Sequence, residues 1–228
     1  MRMENNTTTG IDGLDDLLDG GFPADTVVLL AGGPGSGKTL FGLNYLINPG
    51  SDKDSRCCYI SFNESKEELL RACNQIASLK NASKMLDKQL SLISLELGEE
   101  MDVAKFIKLI SSYPDLDKLV LDNVNKLLMH SSDDREYRIN LSKLVGFLRK
   151  KVGCTLLLCE TMNDSIDTGH GEGFECDGII KLCFSELEEK PKRVLEVHKM
   201  RYTSFDPMVL HELRINSKGL SLEKASII

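Results

Sequence analysis

A glycine-rich loop set between an apolar run and an apolar-rich helix limits this chain more than any other stretch. Gly32-Gly33-Pro34-Gly35-Ser36-Gly37-Lys38-Thr39 follows Thr26-Val27-Val28-Leu29-Leu30-Ala31 and precedes Leu40-Phe41-Gly42-Leu43-Asn44-Tyr45-Leu46-Ile47. The spacing fits G-x-x-x-x-G-K-[ST], the P-loop pattern. Glycines let a backbone adopt φ > 0 and turn successive N–H groups toward phosphate oxygens. The helix expected to begin near Lys38 aims its positive end at the same anion. Residues Gly33, Pro34, Gly35, Ser36, Gly37, Lys38, Thr39 and Leu40 are therefore the expected nucleotide cradle. Lys38 would reach the β and γ phosphates and the Thr39 hydroxyl would ligate Mg²⁺.

Length and charge narrow the rest. The 228 residues suit one α/β domain, 1–228. It divides into an N-terminal segment with a short helix (1–25), a P-loop core (26–184) and a β-rich edge (185–228). A net charge of −7 argues against a broad nucleic-acid-binding face. No apolar run approaches the ~18 residues of a membrane helix, and the first residues lack a signal-peptide core. The seven cysteines form no C-x-x-C and are odd in number, which points to buried thiols in a reducing, cytoplasmic setting.

Along the chain, Thr9 to Leu18 reads as a short capped helix stopped by Gly20-Gly21, and Pro49-Gly50 ends the P-loop helix. Residues 57–62 form a doubly buried strand, followed by Ser65-x-x-Glu68, a capping box opening a helix through Leu69, Leu70, Cys73, Ile76 and Leu79. A strand at 90–95 and an Asp102-capped helix closed by Pro114 come next. After them stand a strand at 118–122, a helix at 133–151 and a strand at 154–159. Thr161 to Gly173 reads as loop. Strands at 178–184, 193–198 and 208–215 close the chain, the first two joined by a turn at 188–192. The order predicts a mostly parallel twisted sheet with helices on both faces and antiparallel strands at the C-terminal edge.

Asp122 ends an apolar run at a strand's carboxyl end, where open α/β sheets bind ligands. With a P-loop upstream it fits the Walker B acid that holds the Mg²⁺ water shell. Asn123 follows it, so the water-activating group is sought elsewhere, and Glu64 at the mouth of the next strand is the candidate. Asn125-Lys126 opens like a guanine-reading N-K-x-D motif, but Leu128 stands where the aspartate belongs, so ATP is expected. Lys199 and Arg201 close a strand in the β-rich tail. They are either a solvated strand end or cations reaching a neighbouring subunit's γ-phosphate.

Several of these segments together resemble the KaiC-like ATPases of the RecA superfamily. They are Thr9 to Pro23, the P-loop, Tyr59-Ile60-Ser61-Phe62-Asn63-Glu64-Ser65, Asp122, Asp177-Gly178-Ile179-Ile180 and Lys199-Met200-Arg201. The resemblance implies a RecA-like core, a hexameric ring with ATP between subunits, and Lys199 and Arg201 acting in trans. Two departures stand out. Asn63-Glu64 replaces a glutamate pair, which implies slow hydrolysis with Glu64 as base. The circadian-clock members phosphorylate a Ser-Thr pair where this chain has Gly173 and Phe174, so a self-phosphorylating timer is not expected.

The leading expectation is a slow, oligomeric, ATP-dependent switch read by a protein partner. A RecA-like DNA-binding recombination or repair ATPase is the alternative. Its loops would be 126–138, with three basic against three acidic residues, and 162–173, with Asp164, Asp167, Glu172 and no Lys or Arg. Backbone phosphates require several cations, which these loops lack. A nucleotide-stabilised scaffold with negligible hydrolysis is the third reading.

Overall fold

The computed structural model describes residues 6–47, 55–95, 101–162, 165–185 and 190–224. The expected features at Pro49-Gly50, Asp164 and Glu188-Glu189 lie outside these residues.

Among the described residues nine strands form one sheet in the order β3-β2-β4-β5-β1-β6-β7-β8-β9. They are β1 (Thr26–Gly32), β2 (Cys57–Ser61), β3 (Leu90–Ser94), β4 (Leu116–Asp122), β5 (Val152–Glu160), β6 (Gly178–Ser185), β7 (Lys192–Met200), β8 (His211–Ile215) and β9 (Leu220–Lys224). The first six in that order run parallel, and β6 to β9 pair antiparallel. This is the mixed α/β architecture that the pattern predicts. The chain leaves β1 for β2 on one side and later returns to β6 on the other. Their divergence opens a crevice at the carboxyl ends.

Alternation along the strands divides the core in two. Val28, Leu30, Tyr59, Val120 and Leu156 join a cluster with Phe41 and Leu43 of α2 (Lys38–Ile47) and with Leu14 of α1 (Leu14–Leu17). Val27, Leu29, Ile60, Leu121 and Leu157 join the other cluster. That face is covered by Phe106 and Ile110 from a helix at Val103–Ser111 and by Leu141, Leu144 and Leu148 from one at Asp134–Lys151. Gly42 lets α2 lie close to the sheet, since a Cβ there would sit 3.0 Å from Val120 Cγ1.

The helix starts follow their caps. Ser65 and Glu68 form the reciprocal capping box of α3 (Lys66–Asn74). Asp102 caps the Val103–Ser111 helix and Asp133 caps the Asp134–Lys151 helix.

Four local expectations are corrected. The helix predicted through Leu79 ends at Asn74, because the amides of Ala77 and Ser78 bond instead to Ser217 and Lys218 carbonyls of the β8–β9 hairpin. A short helix, α4 (Ala82–Met85), follows. With it placed, the later helices are α5 (Val103–Ser111), α6 (Val124–Leu128), α7 (Asp134–Lys151) and α8 (Glu172–Glu175).

The predicted Thr9–Leu18 helix shrinks to α1. Its Asp15 carboxylate receives the Thr9 amide and hydroxyl, and Gly13 occupies the N-cap in the left-handed region. The last predicted strand begins at His211, because Met208 takes a positive φ and donates its N–H to Val197. The loop predicted to Gly173 already turns helical at Glu172, whose buried carboxylate accepts from Tyr137 and Thr168. Strand β9 and helices α4 and α6 are additions to the predicted elements.

All seven cysteines are free and buried, as expected. No helix among the described residues is long and apolar enough to cross a membrane.

Candidate functional site

The carboxyl ends of β1, β2, β4 and β5 surround a cleft of about 520 Å³ lined by residues that include Gly35, Lys38, Thr39, Glu64, Asp122 and Glu160. The loop from β1 to α2 forms its floor. Gly35 and Gly37 hold φ of 72° and 105°, the left-handed values that a phosphate-cradling turn needs. A Cβ on Gly35 would meet nothing within 4 Å, so the loop faces open space there. The Lys38 ammonium donates to the carbonyls of Gly32 (2.7 Å) and Gly33 (2.9 Å). Burial lowers its pKa, opposed by the nearby carboxylates. Among the described residues the buried Ser36 hydroxyl has no hydrogen-bond partner.

Beside the loop, the Thr39 hydroxyl lies 3.1 Å from Asp122 Oδ2 and 3.4 Å from Glu64 Oε1. Tyr59, buried on β2, donates its phenol to the same Asp122 oxygen at 2.6 Å. Burial raises the Asp122 pKa against these donors. Burial and then the Asp122 charge raise that of Glu64. Ser61 orients the Glu64 turn: its Oγ accepts from the Asn63 and Glu64 amides and donates to Glu64 Oε2. Two desolvated carboxylates and a hydroxyl thus face one point, an arrangement that favours a cation. No cluster of three or more His, Cys, Asp or Glu suited to a metal occurs among the described residues. The two carboxylates and the Thr39 hydroxyl are a donor set that suits Mg²⁺, which takes one or two carboxylates and keeps several waters.

The cleft opens into an apolar groove lined by Leu40, Ala72, Ile76 and Ile215. Asn125, which opens the Asn125-Lys126 pair, uses its amide on the main chain of Glu160, accepting from N–H at 2.8 Å and donating to C=O at 3.1 Å.

Gly33 through Leu40, Glu64 and Asp122 are therefore brought to one end of the sheet. Lys199 and Arg201 are not. Pairing of Val28 with Gly178 and of Gly178 with Met200 sets them at the opposite end, where β1 begins. Lys199 donates to the carbonyls of Gly173 and Cys176, and Arg201 pairs with Asp177 at 3.0 Å. Burial, then Arg201, lowers the Lys199 pKa.

Sequence reasoning missed Tyr59, Glu160, Arg193 and Ile215. Glu160 carries the signal that marked Asp122, an acid ending an apolar run. Arg193, whose Nε donates to Gly35 O at 3.3 Å, and Ile215 arrive from the distant C-terminal strands and carry no local signal.

A family model described as "ATPase: KaiC" matches residues 7–226. The chain belongs to the KaiC family of ATPases. Among its relatives, a UPF0273 protein of Pyrococcus horikoshii is 29% identical, covering 96% of this chain and 94% of its own. The circadian clock protein KaiC2 of Synechocystis sp. is 29% identical over 85% of this chain, which spans 36% of that longer protein. The crystal structure of a KaiC-like protein of P. horikoshii shares the fold, with a TM-score of 0.80 at 24% identity over 96% of this chain and 99% of that one.

Proposed function

We propose that residues 1–228 act as one Mg²⁺-dependent ATP hydrolase domain, slow in turnover, that works as a nucleotide-controlled switch in a ring of identical copies, most simply a cytoplasmic hexamer. One observation carries this reading. The positive-φ glycines, Lys38, the Ser36 hydroxyl and the Thr39–Asp122 pair meet at the carboxyl end of β1.

The residues fit the ligand. A buried hydroxyl left unpaired costs about 1–3 kcal/mol, which a phosphate oxygen at Ser36 would relieve. Gly33 to Leu40 would hold the phosphates, with Lys38 as the charge on the β and γ oxygens. The groove at Leu40 and Ile215 would take the base. Thr39 and Asp122 would hold Mg²⁺, with Glu64 on its water shell as a catalytic carboxylate. When bound, Mg²⁺ neutralises charge on the β and γ oxygens. Lys199 and Arg201 lie far from their own P-loop, so as catalytic cations they would serve only a neighbouring copy.

A second reading rests on Asn63, which lines the cleft and cannot accept a proton. Under it the chain binds nucleotide as a scaffold and hydrolyses negligibly. Phosphate release by the native chain against Lys38→Ala separates the two. Light scattering with and without Mg-ATP tests the ring, and a monomeric mass under both conditions contradicts it. The charge of loops 126–138 and 162–173 speaks against DNA as the partner; a salt-dependent gel shift would restore that alternative.

A further inference from the structure

We propose that Glu160 accepts the proton of the attacking water in this cleft, while Glu64 is confined to the metal side. The inference rests on the ATPase reading above and divides a role that the sequence gives to Glu64 alone.

The two carboxylates sit differently. Glu64 Oε1 lies 3.4 Å from the Thr39 hydroxyl and Oε2 lies 3.3 Å from that of Ser61. Both of its oxygens are thus engaged, one of them by the hydroxyl expected on Mg²⁺. Asn63 shares the cleft, but an amide is too weak a base to take a proton. Glu160 ends β5, the strand that lies between β4 and β1 in the sheet. It stands in register with Gly32, whose carbonyl receives the Lys38 ammonium at 2.7 Å. Lys38 is the group that marks the γ-phosphate end of a P-loop.

The Glu160 main chain is fixed in both directions by the Asn125 amide, at 2.8 and 3.1 Å. Its side chain is exposed and lines the cleft, and among the described residues its carboxylate takes no hydrogen bond. Glu160 is thus an uncommitted oxygen pair that shares the cleft with Lys38, held on a rigid strand end.

In the step assigned to it, the water oxygen bonds to the γ-phosphorus and one water proton passes to the Glu160 carboxylate. The bond from the γ-phosphorus to the bridging oxygen breaks, and its electron pair stays on ADP. Glu160 then releases the proton to solvent.

The test compares the native chain with Glu160→Gln, Glu160→Asp and Glu64→Gln. Three quantities are read: affinity for a fluorescent ATP analogue with Mg²⁺, single-turnover phosphate release, and the ATP-to-ADP ratio retained after incubation with ATP and gel filtration. Glu160→Gln should slow release on the order of 100-fold while affinity stays within about threefold, as expected for a lost general base. Its retained nucleotide should shift from ADP to ATP, and Glu160→Asp should fall between. Glu64→Gln should instead raise the Mg²⁺ concentration needed for binding.

Glu160→Gln turning over at more than half the native rate overturns the inference. So does a loss of affinity that parallels the loss of rate. Native protein that binds Mg-ATP and releases no phosphate overturns it too, leaving nucleotide binding intact. Native protein that binds no nucleotide overturns both.

Discussion

Each end of the sheet buries an aspartate, and the two are treated in opposite ways. At the carboxyl end Asp122 receives hydroxyls from Tyr59 and Thr39 and, among the described residues, no guanidinium, and burial holds its pKa above the ordinary carboxylate value. At the other end Asp177 is gripped by both arms of Arg149 at 2.8 and 3.0 Å, by Arg201 at 3.0 Å and by the Val27 amide. Burial pushes its pKa up, but these partners more than offset that and hold it below the ordinary value. Asp177 is neutralised from within and locks β1, α7 and β7 together. Asp122 is met by hydroxyls rather than by such ion pairs, which is the setting that the proposed Mg²⁺ site requires. A buried charge left wanting is a functional signal, whereas one fully paired is a structural one.

The largest effect should come from breaking the closed end. Asp177→Ala leaves two guanidiniums facing each other. It should cost about 3 kcal/mol in urea unfolding, near the low end for such a loss because both arginines are partly exposed. Nucleotide affinity of the folded fraction should not change. The same pair sets a pH dependence. A carboxylate whose folded pKa is depressed adds stability above its unfolded pKa, and loses it as pH falls through the ordinary carboxylate range toward the folded value. Native protein should therefore weaken on acidification in that range, with a smaller slope in Asp177→Asn.

The open end should behave inversely. Asp122→Asn should leave metal-free stability within about 1 kcal/mol, because the amide oxygen still accepts from Tyr59. It should nevertheless lower Mg-dependent phosphate release on the order of 100-fold. The smallest effect belongs to Tyr59→Phe, which removes one donor to Asp122. About 1 kcal/mol of stability and a few-fold rise in the Mg²⁺ requirement are expected, by denaturation and metal titration respectively.

What could be read from the chain follows the same division. The P-loop, Asp122 and the parallel core were legible because each is a local pattern: glycines at fixed spacing, apolar runs ending in an acid, caps three residues before their partners. Asn123 capping α6 is an equally local signal, its side chain accepting from the Lys126 amide. The break after Asn74 was not legible, because the competing carbonyls come from Ser217 and Lys218. Arg193 and Ile215 at the cleft, and the Asp177 cluster that holds Arg201, likewise arise from strands far apart in sequence.

Calorimetric titration of Mg-ATP into the native chain and into Lys38→Ala tests the central claim most directly. Saturable binding to the native protein, lost on substitution and lost again on chelating Mg²⁺, is the predicted result. Folded native protein that takes up no nucleotide, or a Lys38→Ala chain that binds as well as native, would contradict it.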